Sequence, residues 1–391
     1  MSSARSRYEN VVVTVPVTIP YVRHSTHGAH WFAARALRGL LDGSGLQKSQ
    51  IDGLSLSSFT LGADTAVGLT QQLGLTLRWL DHVPMGGAAA MITLRRALRA
   101  VQSGDATVVA CVGADTNQVD TFRTRMSVLS QFAQDAVVPY GGGGANGSFA
   151  LLTAYYMQQF GARREDFGKL CVAQRENALR FPHALFKKPI TLDEYLNARP
   201  IAEPLHLLDC VMPCAGAEAF LVMSRQHARH LGLRYVNVLA TMERHNAFPE
   251  DPVQTRGGWA LDRDELYAQA GIGPEDIDLV QTYDDYPVIS LMQLEDLGFC
   301  AKGEGPEFVR RNTFTTDGSF PINTSGGQLS VGQAGAAGGF LGVTEAVRQV
   351  SGAPLGAVVD DARHALVSGF GMITYDRGLC CGAAILARED A

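Results

Sequence analysis

The chain has no apolar run approaching the roughly 20 residues that a membrane-spanning helix requires, so no membrane protein is expected. Its N-terminus lacks a signal-peptide layout: Met1-Ser2-Ser3-Ala4-Arg5-Ser6-Arg7 leads straight into Val11-Val12-Val13. Positive charge is not in excess either. A formal net charge of −6 argues against a dedicated nucleic-acid binder, which needs a basic face to neutralise phosphates. Seven cysteines, an odd number at irregular spacing, supply no disulfide framework and point to reduced thiols in a cytoplasmic setting. The run Gly141-Gly142-Gly143-Gly144 lacks the Gly-Lys-Ser/Thr ending of a phosphate-binding loop. Its glycines suit a close backbone approach to a ligand or a positive φ. His24, His27 and His30 recur every third residue, but such a series drifts around a helix and no carboxylate or cysteine joins it. No metal site is therefore expected.

The 391 residues suffice for two or three domains around a large core. Short β-branched runs alternate with helical stretches. Val108-Val109-Ala110-Cys111-Val112 reads as a buried strand, and Met91, Leu94, Leu98 and Val101 recur at helical spacing before it. This alternation implies α/β layering. An internal repeat is visible too. Gly45-Leu46 followed by Ile51-Asp52-Gly53-Leu54 returns as Gly271-Ile272 followed by Ile277-Asp278-Leu279-Val280. Val101-Gln102-Ser103-Gly104, before the strand Thr107–Val112, is echoed by Gln349-Val350-Ser351-Gly352, before an expected strand Ala365–Val367. Two landmarks in the same order suggest a duplicated unit. The halves are expected to span residues 1–235 and 236–391, with a polar, irregular stretch at about 117–204 read as an inserted loop region.

Ile322-Asn323-Thr324-Ser325-Gly326-Gly327-Gln328-Leu329-Ser330-Val331-Gly332-Gln333-Ala334-Gly335-Ala336-Ala337-Gly338-Gly339 is the most informative stretch. It resembles the thiolase-superfamily segment N-x-x-G-G-x-x-x-x-G-H-P-x-G-A-x-G, with Gln333 in place of the catalytic histidine. The segments Leu294–Gly305 (LEDLGFCAKGEG) and Ile201–Cys210 (IAEPLHLLDC) are similar to signatures of the sterol-carrier-protein-thiolase and lipid-transfer-type branch. The resemblance covers nearly the whole chain. It implies a duplicated α/β thiolase fold of five layers, α-β-α-β-α, an acyl-CoA substrate that brings coenzyme A with it, no covalently bound cofactor, and a homodimer.

The resemblance also locates a site. A thiolase presents a nucleophilic cysteine at a buried helix N-terminus, where the dipole favours a thiolate. In Pro84-Met85-Gly86-Gly87-Ala88, Gly87 stands at that position, so no acyl-enzyme can form there. Gly86 and Gly87 would still offer a helix N-terminus to a thioester oxygen. The tetrapeptide of a second active-site loop corresponds to Tyr283-Asp284-Asp285-Tyr286, bringing phenols and carboxylates that can act as acid or base. Tyr286 also suits an aromatic core position, and Asp284 suits a cap on the following helix. A last loop corresponds to Ser368-Gly369-Phe370-Gly371-Met372, which places Gly371 at the site. Gln333 and Asn323 are expected to line the pocket as hydrogen-bonding groups. Tyr140 matches a histidine of some relatives. Arg180, Lys187 and Lys188 are candidate partners for the CoA phosphates, and equally suit an exposed, solvated cluster.

Three functions stay open from this reading. One is non-thiolytic carbon–carbon cleavage of the retro-aldol type, which in relatives without the cysteine works with an OB-fold partner of the DUF35 type. The second is acyl transfer through a displaced thiol, Cys214, Cys380 or Cys381, each of which also suits a buried structural cysteine. The third is acyl-CoA binding or a structural role without catalysis.

Overall fold

A computed structural model describes residues 7–62, 65–118, 134–141 and 144–391. The strands are β1 (Val11–Val22), β2 (Gly53–Ser57), β3 (Trp79–His82), β4 (Val108–Asp115), β5 (Pro200–Ala202), β6 (Leu205–His206), β7 (Ala215–Ser224), β8 (Tyr235–His245), β9 (Leu279–Gln281), β10 (His364–Thr374) and β11 (Arg377–Ala387). Nine of them form one sheet in the order β3-β2-β4-β7-β1-β8-β11-β10-β9.

The order contains the same unit twice. In the first, β2 runs parallel to β4, β4 antiparallel to β7, and β7 antiparallel to β1. In the second, β9 runs parallel to β10, β10 antiparallel to β11, and β11 antiparallel to β8. The repeated Ile-Asp pair has a mechanical meaning. Asp52 Oδ1 accepts from the backbone N–H groups of Thr107 and Val108, tying the entry of β2 to that of β4. Asp278 Oδ2 accepts from Arg363 and His364 N–H and ties β9 to β10 in the same way. The second echo marks two helix ends, where Gly104 and Gly352 take φ of 83° and 70°, a left-handed turn that suits glycine.

Two helices, Ala89–Ser103 and Gly338–Val350, fill the centre. Met91 and Leu94 of the first and Phe340, Val343 and Val347 of the second share one core with Val109 and Val222 on one side and Val367 and Ala384 on the other. Phe340 packs its ring 5.9 Å from that of Phe220, and truncating either would cost about 3–5 kcal/mol. Helices Ala29–Ser44 and Thr65–Leu73 cover the outer face of the first half, and Trp259–Ala270 and Pro287–Asp296 that of the second. The five layers are therefore present, and the two sheet layers are one continuous sheet joined where β1 pairs with β8.

Among its described residues, the stretch read as an inserted loop region is largely helical. Helices Gly144–Phe160 and Arg164–Arg180 lie within it. Phe149, Leu152 and Tyr156 fall at helical spacing and are fully buried, so tertiary packing overrides the glycine-rich entry. Gly142 and Gly143 of the glycine run lie outside the described residues.

Candidate active site

A short 3₁₀ turn, Gly86–Ala88, opens the central helix Ala89–Ser103 and points its positive dipole end at a cavity. Gly86 makes the turn at φ 54°. Gly371, on β10, passes so close that a Cβ there would lie 2.9 Å from Gly87 N. Only a backbone without side chains leaves this helix start open.

Tyr283 lies just past β9, with Thr282 between them. Gln293 pins its backbone from both sides: Tyr283 N donates to Gln293 Oε1 at 3.0 Å, and Gln293 Nε2 donates to Tyr283 O at 2.7 Å. Ser368 holds Gln293 in turn, its hydroxyl donating at 2.6 Å. So fixed, the phenol ring lies against Gly87. A Cβ on Gly87 would sit 2.0 Å from Tyr283 Cε2 and 2.4 Å from Phe370 O. The space that a side chain at position 87 would need is filled by this ring.

Asp285 and Gln333 both meet the Tyr283 hydroxyl. Burial holds the phenol well above its ordinary pKa, Asp285 pushes it further up, and the Gln333 carboxamide opposes them. Burial, reinforced by the neighbouring Asp284, pushes the Asp285 carboxyl up to about 7, and its contact with Tyr283 pulls the other way. Asp285 Oδ1 is buried with no hydrogen-bond partner among the described residues. Asp284 turns away. Its carboxylate accepts from Gln328 N and Leu329 N at 2.9 and 3.2 Å, capping the turn Gly327–Val331 rather than the helix that follows it in sequence. Tyr286 donates to Asn146 Oδ1 at 2.5 Å and stacks on Phe149 at 4.0 Å.

On the far side of the central helices, Asp115 Oδ1 and Oδ2 accept from Ser58 and Thr60 hydroxyls and from the N–H groups of Phe59, Thr60 and Ala336. One fully buried carboxylate thus locks the loop after β2 onto the Gly335–Ala337 turn that starts the second central helix. Gln333, two residues earlier, is clamped by backbone bonds to Met212 and Cys214.

The cavity above Gly87 has a volume of about 930 Å³, and Phe59, Val138, Phe186, Leu208, Met212 and Met372 make its walls apolar. The Ile201–Cys210 signature supplies one wall through Ile201, Leu207, Leu208 and Cys210. The other signature supports the fold: Glu295 accepts from Tyr156 and from Gly303 and Gly305 N–H, and Lys302 Nζ reaches Glu295 and Asp296 at 2.9 and 2.7 Å.

Of the residues picked out in the sequence, Gly86, Gly87, Tyr283, Asp285, Tyr286, Gln333 and Gly371 converge on this cavity. Others do not. Asn323 is buried behind it, donating to Thr282 Oγ1. Cys214 is fully buried in a separate core under Leu185 and Val331, because the chain turns inward there to pair with Gln333. Tyr140 is 87% exposed at the surface. Arg180 is exposed, Lys187 caps the carbonyls of its own loop at Phe181 and Pro182, and Lys188 faces solvent, so none lines the cavity. Cys380 and Cys381 are buried in β11, with thiols pushed by burial to about 12 in Cys380 and further in Cys381. His24 meets Asn117 and His27 stacks on Trp31, and no group of three or more metal-ligating side chains occurs among the described residues. Sequence reasoning missed Gln293, Asn146 and Arg175. Helical spacing through Phe167, Leu170, Cys171 and Gln174 is the signal that would have placed Arg175 beside a buried face.

Residues 241–381 match the model of the thiolase C-terminal domain-like family. The chain is 33% identical to a steroid side-chain-cleaving aldolase of Thermomonospora curvata, over 90% of this chain and 92% of that protein. It is 34% identical to the 17-hydroxy-3-oxo-4-pregnene-20-carboxyl-CoA lyase of Mycobacterium tuberculosis, over 86% and 90%. The solved Ltp2–ChsH2(DUF35) aldolase contains a chain that superposes with a TM-score of 0.84 at 29% identity, covering 97% of this chain and 98% of that one.

Proposed function

The chain belongs to the thiolase superfamily, in the branch that holds the steroid side-chain-cleaving aldolases, and from that membership we propose that it is a lyase splitting the Cα–Cβ bond of a β-hydroxyacyl-CoA by a retro-aldol reaction. The observation that carries the reading is the phenol of Tyr283 lying on Gly87 with Asp285 and Gln333 at its hydroxyl. Thiolysis has no nucleophile at Gly87, and Gln333 exchanges no proton. A retro-aldol step requires neither.

A phenol whose pKa is driven up cannot accumulate as phenolate, so Tyr283 passes protons rather than storing them. As it takes the proton of the substrate's β-hydroxyl, its own proton goes to the ionised Asp285. The β-oxygen becomes a carbonyl, the Cα–Cβ pair moves to Cα, and a thioester enolate forms. The helix start at Gly87 stabilises the enolate oxygen. Asp285 then returns its proton through Tyr283 to Cα, which closes the proton balance. Gln333 orients the hydroxyl between its two roles.

The apolar cavity suits a bulky acyl group such as the steroid named for the relatives. Coenzyme A enters as part of the substrate, with no cofactor bound covalently. Likeness to the aldolase chain solved with a DUF35 protein supports a partner of that type, and our reading takes the assembly to be a cytoplasmic homodimer. The test is Tyr283→Phe, assayed with partner and a steroid-type β-hydroxyacyl-CoA. Turnover should fall about 10²–10⁴-fold with little change in substrate affinity. Unchanged turnover in a folded variant would remove Tyr283 from the chemistry and bring forward Tyr286, then Asp285.

A further inference from the structure

Arg175 stands in the cavity wall and is only 6% exposed. Its Nε donates to Ser330 Oγ at 3.1 Å and its Nη1 to the Lys188 carbonyl at 3.3 Å, while Phe186 lies under the guanidinium at 4.3 Å. No described residue accepts from Nη2, and no described carboxylate lies within ion-pair distance, although Asp285 lines the same cavity. Among the described residues the other strongly buried arginine, Arg348, differs in having the carboxylate of Glu218 as its electrostatic partner. A planar cation with free donors, fixed at three points in an apolar wall, is pre-organised for an anion that arrives with the ligand.

We propose that Arg175 anchors an anionic oxygen group of the substrate, either a carboxylate on the acyl part or a phosphate of CoA; this rests on the acyl-CoA reading above. The residue then sets specificity rather than taking part in bond cleavage.

Titration calorimetry on the full chain with its co-purified partner tests this, using CoA, a neutral acyl-CoA and a matched acyl-CoA with a distal carboxylate. Arg175→Gln should weaken binding by about tenfold or more, the usual loss when a charged hydrogen-bond partner is removed, and Arg175→Lys should recover part of it. A loss confined to the carboxylated ligand assigns the anchor to the acyl part. A loss shared by all three assigns it to a phosphate. Wild-type affinities in a natively folded Arg175→Gln protein would overturn the anchor and leave the acyl-CoA reading standing. Failure of the wild type to bind any of the three would overturn both. Should Arg175→Gln not fold, the wild type decides alone, comparing the carboxylate with its methyl ester and a CoA thioester with its phosphate-free pantetheine counterpart. Preference for an anionic member supports the anchor, and indifference to both replacements overturns it.

Discussion

At the scale of the residue, the Tyr283 ring can lie where it does only because position 87 carries no side chain. Installing a working nucleophile there as Gly87→Cys should therefore fail. The new Cβ meets the Tyr283 ring at 2.0 Å and backbone oxygen of Phe370 at 2.4 Å, so the variant should lose about 1–3 kcal/mol of stability from overpacking. Intact-mass spectrometry after incubation with acyl-CoA should show no acyl adduct on that cysteine. Asp285 gives a second prediction. The proposed relay needs its carboxyl ionised, and burial lifts that carboxyl to about 7. Turnover should therefore rise with pH between about 5 and 8 and level off above. In Asp285→Asn the residual rate should lose this limb, and an unchanged profile would assign it to another group. The sequence made these residues legible because their loops carry family spacing. Asn323 shares that spacing yet faces away, since a loop's two sides cannot be told apart from residue order alone.

The duplicated unit is the informative element. Its Ile-Asp landmarks were readable as a repeat, and their carboxylates prove to be the stitches between neighbouring parallel strands. Asp278→Ala removes two hydrogen bonds to a carboxylate at the entry of β10, far from the chemistry. It should lower unfolding free energy by roughly 1.5–3 kcal/mol in urea melts, with kcat unchanged at a temperature where the variant is folded. A fall in kcat would mean that strand entry and active-site loop move together. Helices Gly144–Phe160 and Arg164–Arg180 were the part that sequence reasoning read as loop. Their glycine and asparagine content lowers local propensity, and tertiary packing, of the first on β10 and of the second on helices Gly305–Arg311 and Gly327–Val331, makes them helices. Arg175 was hidden by that misreading.

At the scale of the whole molecule, four buried carboxyls titrate far above their ordinary range: Asp284 and Asp296 to about 6, Asp285 and Glu218 to about 7, burial being the main cause in each. Their folded pKa values exceed the unfolded ones, so the native state binds more protons between about pH 4 and 7. Stability should consequently fall as pH rises through that window. The acids shifted downward, Asp251, Asp317, Glu389 and Asp390, act below it and are mostly exposed. The melting temperature should drift down from pH 5 to 8, less steeply in Asp285→Asn; a rise would mean that other groups dominate. The duplication has one more consequence. The strand register that sets Val109 opposite Gly53 and Ala365 opposite Leu279 makes Asp115 the counterpart of Gly371. The turns at Gly86 and Gly335 correspond as well, with φ of 54° and 55°. In one copy a resident carboxylate receives the N–H of Ala336 at 2.7 Å; in the other, glycine leaves the same spot open beside Gly87. The protein thus carries its own template of the occupied state, and an inhibitor designer can read from Asp115 where an oxyanion should be set at the twin.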